Sequence, residues 1–181
     1  MFEKIKLDPL NQFYPVNLDK IRDSESKLGI QIPELLKEFY AEVGYGFLKS
    51  KVDNINRIMD PESVLDFRLR QHDFEFYPDI EIYNQFEDDK LVFFEANEVA
   101  LLSIGFVAEN KGKIYYYDKE ISPNLVEFLE RLMEDDTFYY DLIYLEFFWR
   151  IEINTDFYNH VEKVEHFINS SQLASKAKRI R

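Results

Sequence analysis

Residues 28–46, LGIQIPELLKEFYAEVGYG, decide the fold of the N-terminal third of the chain. Gly29 predicts the end of a first helix, because the residue just past a helix end often adopts a positive φ. Pro33 suits the first position of a second helix, where its missing N–H costs nothing. Gly44 and Gly46 then predict a stop and a turn. The apolar side chains of the second helix recur on one side and predict a buried face: Leu35, Leu36, Phe39, Tyr40 and Val43.

The segments around this stretch carry further start and stop signals. Residues 2–7 predict an irregular lead-in or a short strand, and Asn17 predicts the N-cap of the first helix. Asp60 followed by Pro61 predicts another short helix. Ser122 predicts the N-cap of a later one. The predicted strands are 47–50, 54–59, 91–94, 99–107 and 114–118.

The C-terminal third predicts helices that close the domain. Residues 137–153 are apolar nearly all round, so that helix must be buried on more than one side. Either a final helix, 155–169, covers it, or a second subunit does, which would make a homodimer through 137–153. We therefore expect an α+β fold in which an antiparallel sheet carries helices mainly on one face. Residues 1–170 would form a single domain, and 171–181 a basic, disordered tail.

Residues 73–83, DFEFYPDIEIY, alternate between apolar and polar side chains and predict a strand or two short strands with one wet face. Because proline cannot donate to a ladder, Pro78 predicts either an edge strand or two short strands that meet at a bend. The predicted wet face joins carboxylates to tyrosines: Asp73, Glu75, Tyr77, Asp79, Glu81 and Tyr83. Tyr115 and Tyr117 are its predicted neighbours. The pattern is typical of a recognition surface for a basic partner, and also of an edge strand protected by charge.

Composition excludes several classes of function. A net charge of −13 argues against binding nucleic acid, whose recognition needs clustered Lys and Arg. The same acidity suits a basic protein partner, or simply solubility. The sequence has no Cys, no secretory h-region and no long uncharged apolar run, so we expect a cytoplasmic protein that neither spans a membrane nor forms disulfides.

No motif in the sequence predicts catalysis, a cofactor or a metal. His160 and His166 are six residues apart and would lie on opposite sides of a helix, so they do not form a zinc pair. Ser103 lacks the preceding glycine of a nucleophile elbow. Carboxylates are abundant, so a carboxylate-based hydrolase is one hypothesis for the function. It would require a carboxylate of raised pKa in a cleft.

The pattern of residues 28–46 resembles the SUKH superfamily. This superfamily contains fungal cell-wall assembly regulators of the Smi/Knr type and bacterial immunity proteins. The residues that match are Leu28, Gly29, Ile32, Pro33, Glu34, Lys37, Glu38, Phe39, Glu42, Gly44 and Gly46. Weaker matches, at Pro61, Gly105 and Gly112, extend the resemblance to about residue 150. One departure is Lys113, where many members place an aspartate after the glycine.

This resemblance implies a non-catalytic binding protein. Its first reading is an immunity protein that neutralises a toxin domain, often a nuclease and therefore basic. The alternative is a regulatory scaffold of cell-wall assembly or stress signalling, similar to the fungal branch.

Overall fold

The structure, a computed structural model, describes residues 1–51, 55–76, 83–84, 86–96, 100–140 and 142–143. These residues contain one antiparallel sheet in which each strand pairs with the next along the chain. Its seven strands are β1 (Gln12–Tyr14), β2 (Tyr45–Leu48), β3 (Asn56–Ile58), β4 (Lys90–Ala96), β5 (Ala100–Gly105), β6 (Ile114–Tyr116) and β7 (Lys119–Ser122). Because neighbours in sequence are neighbours in space, the sheet is a meander with β1 and β7 at its edges.

Five α-helices lie within the same described ranges: α1 (Glu3–Leu7), α2 (Leu18–Leu28), α3 (Glu34–Glu42), α4 (Pro61–Leu69) and α5 (Leu125–Glu134). The predicted caps of α2 and α4 are confirmed. The Asn17 side chain accepts a hydrogen bond from the Asp19 N–H, and Gly29 ends α2 at a φ of 68°. Asp60 accepts bonds from two backbone N–H groups of α4, with Pro61 at its first position.

One part of the core lies between one face of the sheet and two of these helices. A single row of paired residues crosses five strands on that face, formed by Phe13, Gly46, Ile58, Phe94 and Leu102. Phe39 of α3 meets Phe13 edge-on at 5.8 Å, and Phe128 of α5 meets Phe94 at 5.1 Å. Successive side chains of a strand point to opposite faces, so α3 and α5 pack on the same side of the sheet. The predicted α+β fold is confirmed.

Two glycines allow β1 to pair with β2. Gly44 and Gly46 have φ values of +109° and +137°. A Cβ would lie 2.0 Å from the Tyr14 carbonyl oxygen at Gly44, and 2.2 Å from the Gln12 carbonyl oxygen at Gly46. Gly44 ends the helix as predicted. Gly46, predicted as part of the turn, lies inside β2, where it lets the neighbouring strand approach.

Several element boundaries differ from the predictions. Residues 3–7 form helix α1, which buries Ile5, so the predicted short strand is wrong. Pro33 is the N-cap of α3 rather than its first helical residue. Ser122 belongs to β7, and Asn124 caps α5 instead, because its side chain accepts the Glu127 N–H. The edge strands β1 and β7 have only three and four residues, too few to show a clear alternation in sequence.

The first turn of the predicted aromatic helix belongs to this chain's own core. Tyr139, Tyr140 and Ile143 are buried, and the Tyr139 hydroxyl donates to Asn56 Oδ1 at 2.6 Å. The remainder of helix 137–153, the final helix 155–169 and the basic tail 171–181 lie outside the described residues. The homodimer through 137–153 and the domain boundary at residue 170 stay predictions.

Candidate partner-binding site

The chain turns sharply at the end of α4. Arg70 and His72 both adopt left-handed conformations, with φ values of 56° and 52°. A short 3-10 turn, His72–Phe74, follows and tucks the Phe74 ring against Phe67 at 5.3 Å. The strand predicted to begin at Asp73 is therefore wrong for residues 73–76, because the buried Phe74 holds the chain in a turn against α4.

This turn presents two carboxylates and an aromatic ring. Asp73 and Glu75 are exposed, and Phe76 is 86% exposed. Leu69, at the end of α4, is 40% exposed. We call residues 69–76 the acidic-aromatic loop. An exposed aromatic ring is the kind of side chain that protein interfaces use as an anchor, since aromatic side chains are enriched there and dominate their energetics.

A buried ion-pair network holds the base of the acidic-aromatic loop. The Glu87 carboxylate is 4% exposed and lies 2.6 Å from Arg70 Nη2 and 3.6 Å from Arg68 Nη1. Arg70 also donates to Asn84 Oδ1 at 2.7 Å and to the Phe67 carbonyl. Burial raises the pKa of Glu87, although both guanidinium groups oppose that shift. These contacts fix the conformation in which the loop leaves α4.

The three predicted tyrosines that the structure describes are buried. Tyr83, Tyr115 and Tyr117 are 3%, 6% and 2% exposed, so their predicted exposure is wrong. Tyr83 stacks between Phe67, at 5.7 Å, and Tyr117, at 5.0 Å, and so lies beneath the loop.

Tyr115 is held elsewhere in the sheet. Its hydroxyl donates to Asn110 Oδ1 at 3.0 Å, and Lys90 Nζ lies 4.9 Å from its ring centre. Tyr77, Asp79 and Glu81 lie outside the described residues. Asp73 and Glu75 are thus the predicted site residues that the structure places together at the surface.

Phe76 is the residue that sequence reasoning missed. The alternation of residues 73–83 assigned it to the buried face, together with Phe74. The structure buries Phe74 and exposes Phe76, because a helical turn does not put residues two apart on one side. The left-handed residues before the turn are Arg and His, which give no local signal of the kind that glycine would.

The remaining features concern metal binding and membrane spanning in the described residues. Within these ranges no group of three or more His, Asp or Glu side chains is arranged to hold a metal ion. In the same part of the chain, no helix combines the length and the apolar character needed to cross a bilayer.

Comparisons with known proteins identify the family. The family model SUKH_6, described as SMI1-KNR4 cell-wall, matches residues 18–129, from α2 into α5, and thus includes the acidic-aromatic loop. Immunity protein YxxD of Bacillus subtilis (strain 168) is 55% identical over 139 residues, which cover 77% of this chain and 95% of that protein. No solved structure matches. With the caps, glycines and sheet described above, these matches show that the chain belongs to the SUKH, or SMI1-KNR4, family.

Proposed function

We propose that this chain is an immunity protein: it binds a bacterial toxin domain, covers its active surface and performs no chemistry of its own. A relative that is 55% identical carries the name of an immunity protein, which supports the class of function. The structural observation that carries the proposal is the exposed Phe76, which follows the exposed carboxylates of Asp73 and Glu75 in the acidic-aromatic loop. We place the encounter in the cytoplasm, the compartment expected from the sequence.

We further propose that the toxin domain is basic and of the nuclease type. A nuclease needs a positive groove for phosphates, and a chain with a net charge of −13 is the electrostatic complement of such a groove. In this reading Asp73 and Glu75 steer association, because exposed charges act mainly on the rate of encounter. Phe76 anchors the complex by entering an apolar pocket of the toxin.

The ion pairs at the base of the acidic-aromatic loop favour tight binding. Arg70 and Glu87 hold the loop base in one conformation before the partner arrives, so little conformational entropy is lost on binding. Tyr83 and Tyr117 support the base of the loop through their ring contacts. Tyr77, Asp79 and Glu81 would extend the contact surface along the chain. Tyr115, whose hydroxyl donates to Asn110, would support the sheet.

Charge reversal on the loop tests this assignment. The variant Asp73→Lys/Glu75→Lys would be compared with Asp23→Lys/Glu109→Lys, which makes the same change in net charge at exposed sites on α2 and in the β5–β6 loop. The readouts are growth of cells that express the toxin domain encoded beside this gene, and the association rate at low and high salt.

We expect the loop variant to lose rescue and to associate at least about tenfold more slowly at low salt, because a steering charge has become repulsive. The control pair should rescue growth like the wild type. Equal association rates for the two variants would show that the loop is not the contact surface.

The regulatory scaffold is the second candidate, and family membership is the observation that favours it. A scaffold would bind several partners weakly and would not rescue cells from a toxin. Failure of the wild-type chain to bind or rescue would therefore favour this candidate.

A further inference from the structure

A groove lies between α1 and α5, in parts of the chain that do not contribute to the acidic-aromatic loop. The groove has a volume of about 520 Å³. Residues 1–5 line one side, and Val126, Glu130, Met133 and Glu134 of α5 line the other. The four α5 residues recur at spacings of four, three and one, so they form one continuous outward stripe of that helix.

The floor of the groove is apolar and its walls are held in place. Phe2 and Ile5 are 2% and 5% exposed, and the Phe2 ring packs on Phe39 at 5.0 Å. Asn11 joins the two walls: its side-chain amide donates to the Ile5 carbonyl at 2.8 Å and lies 3.9 Å from Met133 Sδ. A binding partner would therefore meet a groove that is already formed.

The rim of the groove is negative. Glu3, Glu130 and Glu134 are exposed, and none of them makes an ion pair in the described parts of the chain. The lining also holds two cations, the Lys4 side chain and the N-terminal ammonium group of Met1, and the latter pairs with Glu42 at 3.2 Å. Lys51 Nζ donates to the Glu134 carbonyl at 3.0 Å, which leaves the Glu134 carboxylate without an ion pair in the described residues. Glu130 and Glu134 stand one helical turn apart, where like charges destabilise a helix. Cations from a partner would relieve that repulsion.

We infer that this groove binds a basic amphipathic segment of the protein partner. An apolar side chain of that segment would enter between Ile5 and Val126, while its Lys or Arg residues would pair with Glu130 and Glu134. A second copy of this chain is disfavoured, because two molecules that each carry −13 would repel. The inference rests on the proposed function, to which it adds a second contact separate from the acidic-aromatic loop.

The test uses the full chain with two probes. One probe is the toxin domain encoded beside this gene. The other is a synthetic helical peptide with a leucine face and a lysine face, which needs no knowledge of the toxin. Affinities of the wild type, Glu130→Lys/Glu134→Lys and the control Asp23→Lys/Glu109→Lys would be measured by calorimetry at low and high salt. Thermal unfolding of each variant would verify folding.

We expect the groove variant to bind both probes at least about tenfold more weakly at low salt, with the difference shrinking at high salt. The control should stay within about twofold of the wild type. If the groove variant and the control bind both probes equally well, or if the wild type binds neither probe, the inference is overturned.

The outcomes also separate this inference from the proposed function. A wild type that binds the peptide through the groove but fails to bind the toxin domain would overturn the immunity role and leave the groove assignment standing. Tight toxin binding that survives Glu130→Lys/Glu134→Lys would uphold the immunity role and remove the groove from it. Val126→Ser adds an uncharged test of the floor, since its effect on affinity should not depend on salt.

Discussion

Truncation of one exposed ring tests the proposed interface most directly. Phe76→Ala removes a side chain that is 86% exposed in the free chain. Because the ring contributes little to the core, we expect the free energy of unfolding to change by no more than about 0.5 kcal/mol. Any larger effect of this variant should therefore appear only when the partner is present.

The size of the effect on binding follows from the exposed area of the ring. A phenylalanine side chain buries about 150–250 Å² when fully covered. With 86% of Phe76 available, roughly 170 Å² remains for the interface. At about 25 cal/mol per Å² this area corresponds to at most about 4 kcal/mol. Alanine retains part of that contact, so we expect a loss near 2 kcal/mol, or about 30-fold in Kd.

The assay is calorimetric titration of the variant with the toxin domain, together with thermal unfolding of the free chain. Leu10→Ala is the matched control, since Leu10 is 70% exposed and lies between α1 and β1, away from the loop. A change in Kd below about threefold for Phe76→Ala, or an equal change for Leu10→Ala, would refute the assignment of Phe76 as the anchor.

Three further predictions concern the fold and the base of the acidic-aromatic loop. Gly44→Ala should destabilise the chain by about 3 kcal/mol or more in urea unfolding, since its Cβ would lie 2.0 Å from the Tyr14 carbonyl oxygen. Gly112→Ala meets no atom within 4 Å and should lose only about 1 kcal/mol; equal losses would contradict the close approach of β1. For Glu87, burial raises the folded-state pKa above 4.5, so its contribution to stability falls as pH rises from that value through the folded pKa. Glu87→Gln should remove this slope when urea midpoints are compared between about pH 4 and 7, and parallel profiles would be the contrary result. Asp60→Ala should lose about 1–2 kcal/mol by thermal unfolding, because the side chain accepts the N–H groups of Glu62 and Ser63, whereas Asp60→Asn should retain most of that stability.

Several features that depend on neighbours in sequence were predicted correctly. The caps at Asn17 and Asp60 and the stop at Gly29 each rest on a bond or a backbone angle within a few residues. The buried face of α3 followed from helical spacing, and Leu36, Phe39 and Tyr40 are all buried. The strand of residues 100–105 was recognisable because every side chain in it is apolar or small, as expected of a strand covered on both faces.

The conformation of the acidic-aromatic loop could be predicted only in part from the local sequence. Alternation of apolar and polar residues correctly put Asp73 and Glu75 at the surface, and it wrongly paired Phe76 with the buried Phe74. The same residues fit a strand or a turn, and the choice between them depends on which side chains cover the rings of Phe74 and Phe76. Phe74 is covered by Phe67 of the preceding helix, whereas no described ring packs on Phe76.

The sequence by itself determined the family, both ends of α2, the start of α4 and the net acidity of the chain. Only the tertiary structure decided which of those charges stand together with an exposed ring. Arg70 takes its left-handed conformation while pairing with Glu87, 17 residues further on, and Tyr83 is buried against Tyr117 in the turn between β6 and β7. The physical reason is that these contacts join residues far apart in sequence, so their energy is realised only when the sheet and α4 are assembled.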